Sequence, residues 1–136
     1  MSSFSLTILT PERSFFEGNV QKLVVRTATG DLGILARHEK YVAALSSGPI
    51  RLVLEDGTVR LAAISGGMIK VSPERTAILA NAAEWSEEID VARAKRSQED
   101  ALRRKESAKS LAEQQRAEAK LRRALNRLKV SGMKTQ

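Results

Sequence analysis

The chain has 136 residues, no cysteine, one histidine and a formal charge of +7. That length allows one domain with a modest core plus an appendage, and it argues against a two-domain enzyme with a deep cleft. The composition leaves no disulfide framework, no thiolate chemistry and no histidine-based metal cluster. Met1-Ser2-Ser3-Phe4-Ser5 lacks a basic segment ahead of an apolar run, and no later run is long enough to span a bilayer, so a soluble, cytosolic chain is expected. The charge is uneven. Residues 1–86 hold nine Lys/Arg against eight Asp/Glu, whereas residues 87–136 hold fourteen against eight. A basic appendage on a near-neutral body implies an acidic partner.

The first part alternates apolar and polar positions at strand spacing, beginning with Phe4, Leu6 and Ile8 on one face. Val20 to Thr27 continues the pattern. Ile50 to Leu54 and Val59 to Ile64 flank Glu55-Asp56-Gly57-Thr58, where Asp-Gly suits the positive φ angles of a tight hairpin turn. Met68 to Val71 and Thr76 to Asn81 are further strands. Gly18, Gly30, Gly33, Gly48, Pro49, Gly66, Gly67 and Pro73 read as turn signals between them. Many short strands at close spacing predict an antiparallel β-sandwich or a barrel over residues 1–86, and the sandwich is the expected form.

After Pro73 no glycine or proline recurs until Gly132, and Ala, Arg, Lys, Glu and Gln dominate, which favours helix. Asp90 can cap a helix starting at Val91. Ser110-Leu111-Ala112-Glu113 has the spacing of a capping box and marks a second helix start. Ala117, Leu121, Ala124, Leu125 and Leu128 form an apolar stripe on the second helix, against mainly Val91, Ala94, Ala101 and Ala108 on the first. Residues 87–136 thus predict a two-helix antiparallel hairpin. Its joint, near Lys105 to Lys109, is made of helix-compatible residues, so the hairpin can straighten into one helix of about 60 Å.

In order, Leu9-Thr10-Pro11-Glu12-Arg13, Phe16-Glu17-Gly18, Gly30-Asp31-Leu32-Gly33-Ile34-Leu35 with His38, Ser65-Gly66-Gly67, Ile78-Leu79-Ala80 and Ile89-Asp90-Val91-Ala92-Arg93-Ala94 resemble the epsilon subunits of F-type ATP synthases. Leu121-Arg122-Arg123-Ala124-Leu125-Asn126-Arg127-Leu128 looks like the Bacillus-type form. The loop Ala36-Arg37-His38-Glu39-Lys40 departs from the pattern, since relatives usually place glycine or proline around the histidine. The resemblance implies a flattened ten-stranded sandwich and two helices, with no active site and no required cofactor. It implies a central-stalk subunit that couples the gamma subunit to the membrane c-ring and restrains ATP hydrolysis through its helices. The expected place is peripheral, on the cytoplasmic face of the bacterial plasma membrane, without membrane insertion.

The same resemblance assigns regulatory ATP to Glu84, Ile89, Asp90, Arg93, Ala94, Arg123 and Arg127, with Arg123 and Arg127 one helical turn apart. Asp90 as a helix cap and Arg93 as a solvated arginine remain the plain alternative. Asp100 stands where ATP-binding relatives carry another arginine. Arg103, Arg104, Arg122 and Arg123 are the implied inhibitory contacts to an acidic segment of the beta subunits; otherwise they are solvated faces. Gly30 and Asp31 are the implied rotor-ring contact; that stretch lacks the lysine and hydroxyl of a phosphate loop. His38 with Ser46 or Ser65 and Asp31 or Asp56 supplies the letters of a triad, but no nucleophile-elbow pattern frames them. A nucleic-acid-binding hairpin is the rival function, although no aromatic residue lies beyond Trp85 to stack on bases.

Overall fold

The computed structural model describes residues 2–133. Seven strands precede two helices: β1 (Phe4–Leu9), β2 (Ser14–Thr27), β3 (Gly30–Leu35), β4 (Tyr41–Leu54), β5 (Val59–Val71), β6 (Arg75–Ala80), β7 (Ala83–Trp85), α1 (Val91–Glu106) and α2 (Leu111–Ser131). A 3-10 turn over Ser86–Glu88 joins the two parts.

β1, β2, β4, β5 and β6 close on themselves through the pairings β1–β2, β2–β4, β4–β5, β5–β6 and β6–β1, while β3 adds to β2 and β7 to β5. The expectation of antiparallel pairing holds throughout except for β1–β6, which is parallel. Strand directions cannot alternate all the way round a ring of five, so one pair must run parallel. The predicted turn between β4 and β5 forms: Val53 faces Val59, Leu54 N–H donates to Thr58 O at 2.8 Å, and Gly57 takes φ +88°.

Several expected turn signals lie inside strands instead, so that β2, β4 and β5 run to 13 or 14 residues and seven strands replace the ten implied. Gly18 falls within β2, Gly33 within β3, Gly48 and Pro49 within β4, and Gly66 and Gly67 within β5. These glycines bend strands rather than end them. β5 pairs with β7 through Ala62–Ile64 and, beyond Gly66, with β6 through Gly67–Val71. Gly67 has φ +140°, and a Cβ there would lie 2.2 Å from Leu79 O, so only glycine permits the change of partner.

One continuous core fills the sandwich. Leu6, Ile8, Val20, Leu23, Val25, Ile34, Leu52, Ile69 and Ile78 are fully buried, and the alternation along β1 comes out as read. Trp85 closes the core near the joint, stacked on Phe15 at 4.3 Å between ring centroids. Its other neighbour is Arg60, whose guanidinium sits 3.6 Å from the ring centroid and also holds Glu87 at 2.8 Å.

The helices begin where the caps indicated. Asp90 Oδ1 accepts from Arg93 N at 3.0 Å, and Ser110 Oγ accepts from Glu113 N at 3.1 Å. Glu113 reaches one residue further back than a standard capping box and accepts from Lys109 N at 2.9 Å. The apolar stripes need correction. Val91 and Leu125 are exposed, and α2 buries Ala117, Ala124, Asn126 and Val130. Ala94 and Ala101 are the buried residues of α1. α2 has to face both α1 and the sandwich, so its contact surface turns away from the stripe that a single partner would select.

A hairpin cleft against the sandwich

α2 is fastened to the sandwich at two points. Asn126 Nδ2 donates to Gly48 O on β4 at 3.1 Å and to Ile64 O on β5 at 3.2 Å. Ile89 and Val130 pack on Ala63, with Met133 beside them. Between these points, a cleft of about 660 Å³ opens between the helices and the β5–β7 edge. Glu84, Arg93, Arg123 and Arg127 all line it, so residues distant in sequence meet there. Ile89, Asp90 and Ala94 do not: Ile89 packs beneath the hairpin, Asp90 caps α1 and Ala94 is fully buried.

Arg127 makes a two-pronged contact with Glu84, Nε to Oε1 at 2.8 Å and Nη2 to Oε2 at 3.2 Å. Glu84 stands on β7 opposite Ala63, which aims it at α2. Arg13 and Lys120 also line the cleft, Arg13 lying 3.6 Å from Glu88. Arg93 and Arg123 have no ion-pair partner among the described residues. The cleft therefore pairs a fixed arginine with two free ones, an arrangement that can receive an anion.

Asp100 lies outside the cleft lining. Lys120 on α2 hydrogen-bonds it, Arg104 Nε lies 2.9 Å away and Arg103 Nη2 3.7 Å away. The hydrogen bond from Lys120, with help from Arg104, holds its carboxyl below the usual aspartate range. Arg103 and Arg104 are thus engaged on α1, whereas Arg122 and Arg123 are exposed on α2. Gly30 opens β3 at φ +125°, and Asp31 beside it is tied to Arg26 at 2.9 Å, which lowers its carboxyl pKa. His38 Nδ1 lies 2.8 Å from Glu39 O and its ring meets Tyr41 edge-on. Asp56 accepts from Thr58 N, so the letters of a triad do not converge. No metal-binding cluster occurs among the described residues, and no described helix is long and apolar enough to cross a membrane.

Asn126 and Lys120 escaped the sequence reading. A lone asparagine between Leu125 and Leu128 was the available signal for the first. Nothing local marks Lys120, whose partner is twenty residues away.

The architecture is a closed β-sandwich followed by a basic two-helix hairpin. The β-sandwich domain of ATP synthase delta/epsilon chains matches residues 3–86, and the long α-helix domain of the same chains matches residues 87–132. The ATP synthase epsilon chain of Ruminococcus albus is 43% identical over 98% of this chain and 100% of its own length. That of Halalkalibacterium halodurans is 44% identical over 97% and 99% respectively. The chain belongs to the ATP synthase delta/epsilon family, as an epsilon-type, non-catalytic subunit. A chain in the Euglena gracilis mitochondrial ATP synthase, described as OSCP/F1/c-ring, superposes with TM-score 0.80 at 26% identity, covering 90% of this chain and 77% of that one. A chain of the Tetrahymena thermophila central stalk and c-ring shares the fold with TM-score 0.66 at 14% identity. The nucleic-acid reading finds no support in this kinship.

Proposed function

We propose that the sandwich holds the chain to the rotor while the hairpin acts as an arm whose folded position is favoured by ATP. The cleft carries this reading: Arg93 and Arg123 lie unpaired beside the Arg127–Glu84 contact, and α1, α2 and β7 build the site only when the hairpin is folded. ATP meeting both helices would favour that state, because a ligand shifts an equilibrium through differential affinity alone. In this reading Ile89, Asp90 and Ala94 shape the site and the arginines contact phosphate. Released, the arm would carry Arg103, Arg104, Arg122 and Arg123 toward an acidic segment of the beta subunits and restrain hydrolysis.

An apolar line across the outer face of the sandwich supports docking to the gamma subunit. Leu9 on β1 pairs with Leu79 on β6, Leu79 with Met68 on β5, and Met68 with Ala44 on β4. All four are exposed, as is Val42 on the same face of β4. A row of exposed apolar side chains in one register suits burial by a partner. Gly30 and Asp31, the first two residues of β3, are assigned to the c-ring loops. Such an assembly would sit peripherally on the cytoplasmic face of the bacterial plasma membrane. Residues 1–86 and 87–136 are taken as its two functional units.

Calorimetry on the isolated chain tests the cleft: ATP should bind, and Arg93→Ala or Arg127→Ala should each weaken it about tenfold or more. No heat at millimolar ATP would leave Asp90 as a helix cap alone. In the assembled enzyme, ending the chain at Ile89 should raise ATP hydrolysis while assembly persists; unchanged hydrolysis in an intact complex would remove the restraining role.

A further inference from the structure

Both helices of the hairpin are basic. α1 carries six Lys/Arg against three Asp/Glu, and α2 six against two. Packed antiparallel, they repel, and the apolar contact opposing that repulsion is small: their mutual surface buries alanines at 94, 101, 117 and 124. Two ion pairs cross between the helices among the described residues. Lys105 lies 3.9 Å from Glu118 and half-exposed, the long, exposed kind of pair that contributes little. The other joins Asp100 to Lys120, with both side chains about two-thirds covered. Asp100 also draws in Arg104 and Arg103, so one carboxylate meets three cations from two helices.

We propose that Asp100 is a built-in counter-anion that keeps the two basic helices closed when no ligand occupies the cleft. It does between α1 and α2 what an external anion would do beside Arg93 and Arg123, and it is always present. The closed hairpin is then the resting state of the chain, and the cleft is preassembled before any ligand arrives. This does not rest on the nucleotide reading, since Asp100 itself stands outside the cleft lining, although Lys120 borders it, and the pair forms without ATP.

The chain has no cysteine, so Ala92→Cys and Leu125→Cys, both at exposed positions, can carry a distance-label pair. Folding back places them at the same end of the hairpin; in one continuous helix they would stand about 50 Å apart. Measured on the full chain without nucleotide, the parent should give the short distance. Asp100→Asn should raise the separated fraction severalfold, and Asp100→Lys should raise it further by adding a like charge beside Lys120 and Arg104. Combining Asp100→Lys with Lys120→Asp should restore the short distance in large part. Unchanged distances in Asp100→Asn would overturn the proposal, as would a double variant as open as Asp100→Lys alone. Loss of the helical circular-dichroism signal in place of separation would also overturn it, by making Asp100 a residue of helix stability.

Discussion

The sandwich and the hairpin are held together by different physics. In the sandwich, one buried cluster runs through every strand and makes its contacts with large aliphatic side chains. The hairpin buries alanines against itself and meets the sandwich through Asn126, a small cluster around Ile89 and Val130, and the Arg127–Glu84 pair. Burying a large aliphatic side chain contributes about 1.5–3 kcal/mol, and an alanine methyl far less. A polar fastening also loses less on exposure, because water can replace its partners. One region is therefore held by extensive apolar burial and the other by a few polar contacts and a small apolar cluster.

The contrast breaks most severely at Gly67. Gly67→Ala forces a Cβ into Leu79 O, so it should cost about 3 kcal/mol or more and lower the midpoint of the whole denaturant melt. A melt shifted by less than the width of the transition would mean that β5 can bend elsewhere. Asn126→Ala should act on the hairpin alone. It leaves Gly48 O and Ile64 O without their donor, at a cost of about 1–3 kcal/mol. Hydrogen exchange should then quicken along α2, with strand amides unchanged; equal quickening in β4 and β5 would show that the two regions unfold together.

Acid should have a smaller effect on both regions. Asp31, Glu87 and Asp100 have carboxyl pKa values below their ordinary ranges, the first through Arg26, the second through backbone and Arg60 hydrogen bonds, the third through Lys120. A carboxylate with a depressed folded-state pKa stabilises above its unfolded value and loses that contribution as pH falls through the folded one. Stability and hairpin closure should therefore stay level from about pH 5 upward and decline below about pH 4. The distance-label pair read across pH checks this, and opening centred near neutral pH would contradict it. The smallest effect is expected at Arg37, which holds φ +63° in the loop before β4. Arg37→Gly removes that strain but loosens the unfolded chain, leaving a net gain of about 0.5 kcal/mol by thermal melt.

Elements set by local chemistry were legible from residue order. The β4–β5 turn follows from Asp56-Gly57, the helix starts follow from Asp90 and Ser110, and the buried face of β1 follows from alternation. The meeting of Glu84, Arg93, Arg123 and Arg127 in one cleft was legible only through family resemblance, since no local pattern links β7 to α2. Residue order alone specifies a β part, a helical part and the imbalance of charge between them, because period, capping and composition act within a few residues. That Gly48, Gly66 and Gly67 lie inside strands instead of ending them is settled by packing, as where β5 passes from β7 to β6 at Gly66-Gly67. Packing also decides that Asn126 faces the sandwich while Leu125 faces solvent, and that Lys120 meets Asp100. Those choices depend on how two helices and a sheet edge share space, and that geometry exists only once all three are packed.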